Sequence, residues 1–325
     1  MKITLYPIVG AIALASACSS DDDKSTSSTA VDYKEEMRNL VINISSKAKS
    51  TSADFAIIPQ NGIQLVTQNG EEDGALHTAY LDAIDAHGQE DFLYGYDQDD
   101  VATPSDVTSY LKAFLDRSHS SGNTILITDY CSTDSKKSAS YATNNTYGYL
   151  SYAAEHRELD IIPTSEPYQV HSGDVNSLAD AKNFLYLLNP DNYATRADFV
   201  QALKNTRYDV MIIDLFFHDG TSFTADEIAQ LKTKNGGGKR KVIAYMSIGE
   251  AENYRYYWQS SWNSTKPSWM DAENPDWPGN YKVKYWETDW QNIIYKNNDS
   301  YLNKILAAGF DGVYLDIIDA FEYYE

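Results

Sequence analysis

The residues of this sequence richest in possible chemistry are carboxylic acids at the ends of apolar runs. "MIIDLF" carries Asp214, "MSIGEAENYR" carries Glu250, Glu252 and Arg255, and "YLDIID" carries Asp316 and Asp319. "ILITDY" sets Asp129 beside Tyr130, and "AIDAHGQED" holds Asp85, Glu90 and Asp91. Short runs of Val, Ile and Leu read as buried strands, so an acid at the end of one lies where the strand reaches solvent. A single such acid as readily caps the next helix or pairs with an arginine; several together at strand ends point to chemistry. The six histidines, at 77, 87, 119, 156, 171 and 218, are scattered, and Cys18 and Cys131 lie far apart, so no metal-ligand spacing is present. No GxGxxG motif follows a strand and there is no phosphate loop, so no cofactor and no metal are expected. Acids without metal ligands suit acid/base work on a polar substrate. Cleaving a glycosidic bond needs two carboxyl groups, one protonated and one ionised, on either side of the bond.

These acids must be held by strands. Apolar runs recur at "FAIIP" (55–59), "YLDAI" (80–84), "TILIT" (124–128), "DIIP" (160–163), "FLYLL" (184–188), "DVMIIDLFF" (209–217), "KVIAYMSI" (241–248) and "DGVYLDII" (311–318), with "FLYGY" (92–96) competing for the second place. Helical patterns lie between most of them. Ser105 is the expected N-cap of one helix that Gly122 stops, and Gly236 the expected end of another that begins at "TADE". Eight strands alternating with helices predict an α/β fold, a (β/α)8 TIM barrel, as a single domain over residues 31–325. In such a barrel the chemistry lies at the C-terminal ends of the strands.

The last strand runs out at the end of the sequence with no helix to cover it. Met37, Leu40, Val41, Ile44 and Ala48 repeat at helical spacing after Asp32 and Glu35, a possible capping box. A helix from Asp32 to about Lys49 is therefore expected to pack beside the last strand and close the barrel.

Composition narrows the partners. The chain has 325 residues and a formal charge of −21, from 47 acids and 26 bases, which argues against nucleic acid and suits a cationic ligand. There are 26 tyrosines, and all six tryptophans fall between Trp258 and Trp290. That cluster is either a sugar-stacking shelf, with Trp258 as substrate-binding candidate, or an anchor for a long loop. The N-terminus has an apolar run, residues 3–17, too short for a transmembrane helix, ending in "ASAC". It resembles a bacterial lipoprotein signal over residues 1–17, with Cys18 as the lipidated residue and residues 18–30 as a flexible tether. Asp21 to Asp23 resemble a surface-export signal. The expectation is an outer-membrane lipoprotein of the bacterial cell envelope, surface-exposed or periplasmic, held to the membrane only through Cys18 and monomeric.

"DVMIIDLF", "KVIAYMSIGEAENYR" and "GFDGVYLDIIDAFEY" resemble glycoside hydrolase family 114, the endo-α-1,4-polygalactosaminidases, over residues 183–325. The resemblance implies a polysaccharide substrate, an α-1,4-linked galactosaminoglycan, with Asp316 as the ionised nucleophile or stabiliser. Glu252 and Arg255 would fix substrate or keep Asp316 ionised. The family usually has Asn after Asp316, where this chain has Ile317. The family's remaining elements match the front of the chain, as in a circular permutation: helix 32–49, then Asn61, then Glu90 as acid/base, then Asp129 and Tyr130. Neighbouring acids would raise the pKa of Glu90. Asp214, Asp129, Tyr130, Asn61 and Tyr245 would line the site, with Asp319 at its edge. The alternative is a surface glycan-binding lipoprotein with a catalytically silent barrel.

Overall fold

The computed structural model describes residues 31–325; the expected signal segment, the tether and Cys18 lie outside the described residues. The strands are β1 (Ala56–Pro59), β2 (Ala86–Glu90), β3 (Thr124–Tyr130), β4 (Leu150–Ala154), β5 (Phe184–Leu187), β6 (Val210–Asp214), β7 (Lys241–Ser247), β8 (Glu250–Glu252), β9 (Met270–Glu273), β10 (Asn280–Val283) and β11 (Gly312–Asp316). The helices are α1 (Tyr33–Thr51), α2 (Thr78–Ala83), α3 (Ser105–Ser120), α4 (Asp134–Thr146), α5 (Arg196–Lys204), α6 (Ala225–Leu231), α7 (Thr288–Gln291) and α8 (Tyr301–Ala308). Parallel ladders give the orders β1-β11-β7-β6-β5 and β2-β3-β4. A single parallel bridge, Gln60 to Gly88, joins β1 to β2. Between β4 and β5 the Tyr152 and Phe184 rings meet at 5.9 Å, without a ladder among the described residues. This is an α/β domain of parallel sheets in barrel-like order, with the C-terminal strand ends of the two bridged parallel sheets on the same side.

The last strand is not an edge. β11 pairs with β7 on one side and with β1, from the other end of the sequence, on the other. Just ahead of β1, α1 begins where Asp32 accepts the Glu35 N–H at 2.9 Å, and its stripe of Met37, Leu40, Val41, Ile44 and Ala48 is buried. It packs against α2, α8 and the C-terminal turn. The Tyr285 hydroxyl donates to the Tyr33 carbonyl at 2.7 Å, and Lys34 pairs with Glu325. A helix from the front of the chain thus packs beside the turn that follows β11.

Several expected elements move. Residues 80–84 are not a strand: Tyr80 and Leu81 lie in α2, whose N-cap His77 accepts the Tyr80 N–H. The strand is "AHGQE", which lacks an apolar run because the neighbour fills its space. A Cβ on Gly88 would lie 2.2 Å from the Tyr314 hydroxyl. "FLYGY" is no strand either, since the Leu93 and Tyr94 amides donate to the Asp129 carboxylate. "DIIP" lies in a loop; β4 is instead "LSYAA", whose small residues gave little apolar signal. Ser105 is the first residue of α3 rather than its cap, which is Pro104. α6 starts at a Thr224–Glu227 capping box and stops at Leu231, well before Gly236.

The tryptophan-rich segment forms a three-stranded antiparallel sheet, β8-β10-β9, inserted after β7. The rings run Trp258 to Trp262 (5.4 Å), to Trp269 (5.2 Å), to Trp290 (5.0 Å). The Trp290 indole donates to the Ile248 carbonyl just past β7 at 2.8 Å. Burying such rings fastens the insertion to the barrel. Trp277 alone is substantially exposed, at 42%.

Candidate active site

Successive strand residues face opposite sides, and parallel register carries a face across a sheet. Tyr314 is opposite Ile58 and Tyr245, and Asp214 is opposite Tyr245. Gln60 bridges Gly88, and Glu90 lies opposite Thr128. The inward set at the rim is therefore Gln60, Glu90, Tyr130, Asp214, Tyr245 and Asp316. Beneath it, Tyr186 donates to Gln60 Oε1 at 3.0 Å, and the Tyr186 and Tyr314 rings stand 5.1 Å apart as a buried floor.

Asp316 receives the Tyr245 hydroxyl on Oδ2 at 2.6 Å and the Ile317 amide on Oδ1 at 2.9 Å. Burial, and next the charge of Glu90, push its pKa up to about 7. Arg255 does not hold it ionised, contrary to expectation. That guanidinium is consumed by Glu252, at 2.6 and 3.1 Å, and by Asp214, at 2.8 Å. The three-residue spacing places Arg255 back on its own Glu252 rather than across the rim.

Glu90 is reached from two other strands. Tyr130 donates its hydroxyl to Oε1, and the Asn61 amide donates to Oε2 at 3.3 Å. Asn61 Oδ1 in turn accepts the Glu90 N–H at 3.1 Å and the Gln89 side chain at 3.1 Å. Asn61 has φ 61° and Gly62 φ 54°, so two left-handed residues turn the chain at the end of β1 and aim the Asn61 side chain at Glu90. Asn and Gly are the residues that adopt this conformation most readily. Asn61, Glu90 and Tyr130 thus share one hydrogen-bonded cluster, and Asp316 and Tyr245 another, one strand apart.

Asp129 is not in the site. It is fully buried on the outer face of β3, accepting from the Leu93 and Tyr94 amides, Ser140 and Asn144. One position of alternation separates it from inward Tyr130. Asp85 precedes β2 at the opposite rim, where it accepts the Ile57 amide at 2.9 Å. Trp258 bonds Asn263 and packs on Trp262 and Tyr281 within the insertion, sharing no hydrogen bond with either cluster. Asp319 lies in the 3-10 turn after β11, where burial and then the charges of Glu322 and Asp316 raise its pKa to about 8.

Ile317 has φ 59° and ψ 40°, a left-handed conformation unfavourable for a β-branched residue. The turn is tight: a Cβ on Gly249 would lie 2.1 Å from the Ile317 carbonyl oxygen. The Asn usual at this position in the resembled family suits that backbone, and Ile317 keeps the turn at a cost in strain.

Sequence reasoning missed several neighbours. Arg157, from the β4–β5 connection, which has no α-helix, lies 4.2 Å over the Tyr130 ring and holds Asp91 through two bonds, at 2.6 and 3.2 Å. No periodicity marks it. Glu250, named in sequence as a strand-end acid but given no role, is buried, accepting from Asn274 and Tyr323 at 2.8 Å each. Tyr254 donates to Glu252 at 2.7 Å. Tyr130 and Tyr245 were expected in the site, Tyr254 and Tyr323 were not; the structure gives four rim carboxyls, Glu90, Glu250, Glu252 and Asp316, a phenol donor each. A phenol steadies a carboxylate without adding positive charge, so the rim stays acidic.

Residues 177–324 match the Glycoside-hydrolase family GH114. An uncharacterized protein of Methanocaldococcus jannaschii is 39% identical over 159 residues, covering 46% of this chain and 43% of its own length. Uncharacterized proteins of Deinococcus radiodurans (40% over 123 residues; 38% of this chain, 37% of that protein) and Thermotoga maritima (39% over 142 residues; 44% and 40%) are similar. The chain thus matches about two-fifths of the length of these curated relatives.

Proposed function

We propose that the protein, whose residues 177–324 match the Glycoside-hydrolase family GH114, hydrolyses an extracellular polysaccharide with Asp316 and Glu90 as its carboxyl pair. The observation that carries this is their placement. From opposite ends of the sequence they come to the same rim on strands with only β1 between them, and the charge of Glu90 is the second cause of the raised pKa of Asp316. Asp316, its pKa raised to about 7, keeps a proton up to near neutrality. That proton serves the leaving-group oxygen, and the remaining carboxylate is the nucleophile or the base for water. Tyr245, Tyr130 and Asn61 hold the two groups; Glu252, Arg255 and Asp214 form a rigid wall beside them.

The substrate we propose is an α-1,4-linked galactosaminoglycan. Partial deacetylation makes such a polymer cationic, and the acidic rim and the net charge of −21 suit it. We further propose that residues 1–17 are a signal segment, that residues 18–30 tether a lipidated Cys18, and that the domain occupies the cell envelope. The permuted order relative to the family's usual arrangement belongs to the same proposal. The test is a screen for new reducing ends with α-1,4-galactosaminoglycans and unrelated polysaccharides. Hydrolysis of the former by the wild-type protein, lost in Asp316→Asn and Glu90→Gln, is expected. Glycan binding without any product would favour the silent-barrel alternative.

A further inference from the structure

Tyr254 combines two properties rarely found together. The residue is 60% exposed, the most open of the large hydrophobic residues among the described ones. Its hydroxyl end is nonetheless fixed, donating to Glu252 Oε1 at 2.7 Å, and burial with the Glu252 charge raises its pKa. The Arg255 guanidinium lies 5.2 Å from the ring centroid. Arg255 is itself immobilised by Glu252 and Asp214, with the Phe216 and Tyr301 rings at 5.6 and 5.7 Å. An exposed tyrosine ordinarily samples its rotamers in water; this one is locked by a carboxylate at its tip and a cation against its ring.

We propose that Tyr254 is a sugar-stacking platform, a subsite that takes a pyranose ring of the glycan beside the Asp316–Glu90 pair. The inference rests on the glycosidase reading above and adds a residue to it. Tyr254 is tied through Glu252 and Arg255 to Asp214, which lies opposite Tyr245, the phenol that holds Asp316, so a sugar on its ring borders the same rim. Aromatic faces take the apolar C–H faces of sugars, and a ring already fixed loses little freedom on binding. Trp258, the aromatic candidate from sequence, has its ring engaged by Trp262 and Tyr281 instead.

The test is steady-state kinetics on partly deacetylated α-1,4-galactosaminoglycan oligosaccharides, with wild type, Tyr254→Ala, Tyr254→Phe and Tyr254→Trp, and Tyr110→Ala on α3 as an exposed aromatic outside the site. Tyr254→Ala should raise KM about tenfold or more with kcat within about threefold, since a ring stacked on a ring contributes on the order of one such factor. Tyr254→Phe and Tyr254→Trp, which keep a ring, should retain most of the affinity, and Tyr110→Ala all of it. A wild-type KM in Tyr254→Ala overturns the proposal. So does Tyr254→Phe failing as badly as Tyr254→Ala, because the hydroxyl bond and not the ring would then matter. If folded wild-type protein neither binds nor cleaves the oligosaccharides, the glycosidase reading falls and the subsite with it; a wild type that cleaves while Tyr254→Ala is unaffected removes the subsite alone.

Discussion

Asp316 and Glu90 each depend on a phenol from another strand, and each can be tested alone. The raised pKa of Asp316 gives a stability prediction with a definite sign. Folded, it keeps its proton up to about pH 7; unfolded, it loses it near pH 4. The folded state therefore binds the proton more tightly, and this contribution to stability is lost as pH rises from about 4 through about 7. Asp316→Asn removes the loss. It should be more stable than wild type by about 1–2 kcal/mol at pH 8, after allowing for partial solvent screening at the rim, and no more stable below about pH 3.5. Thermal melts across that range would show it, and a constant offset would count against a coupled carboxyl pair. Ile317 gives a second prediction. Asn at this left-handed position should stabilise the fold by about 1 kcal/mol and leave the Asp316–Ile317 amide bond in place; a lower denaturation midpoint would refute the strain. Resemblance pointed to Glu90 and Asp316, but periodicity could not, because β2 is "AHGQE", with no apolar run to announce a strand. The pairing of Arg255 was illegible for another reason: motif spacing says which residues are near in sequence, not which carboxylate a long side chain reaches.

At the level of elements, the runs rich in Val, Ile and Leu were read well: β1, β3, β5, β6, β7 and β11 lie within or overlap the predicted segments. β2 and β4 were not, since both are built from small or polar residues whose space is filled by Tyr314 and other neighbours. The α1 stripe was legible because five apolar residues repeat at helical spacing around a capped start. Its burial yields a prediction: deleting residues 31–52 exposes β11 and β1 together and should destabilise the domain by several kcal/mol, about 1.5–3 for each large buried side chain removed. A truncated protein that melts at the wild-type temperature would show that α1 does not close the fold. Gly88→Ala should also be strongly destabilising, because its methyl would meet the Tyr314 hydroxyl; chemical denaturation against wild type measures it.

For the whole molecule, the acidic balance that sequence composition announced has a structural counterpart in a rim whose carboxyls are mostly steadied by tyrosine rather than neutralised by lysine. Acids at the opposite rim do different work: Asp85, Asp209 and Asp311 stand just ahead of β2, β6 and β11 and accept the Ile57, Lys182 and Val242 amides. Sequence alone does not separate the two sets, since each simply borders an apolar run; strand direction does. If the proposed lipid anchor is right, Cys18→Ser should abolish acyl labelling and membrane retention in fractionated cells, and equal fractionation of both forms would remove it. The central claim is that Asp316 and Glu90 act as one catalytic unit. The most direct test is a double-mutant cycle in kcat/KM on an α-1,4-galactosaminoglycan. Asp316→Asn and Glu90→Gln should each lower it by about a thousandfold or more, and the double variant should be little slower than the worse single one, as expected of residues that share a step. Near-normal rates in either single variant, or losses that simply multiply, would contradict it.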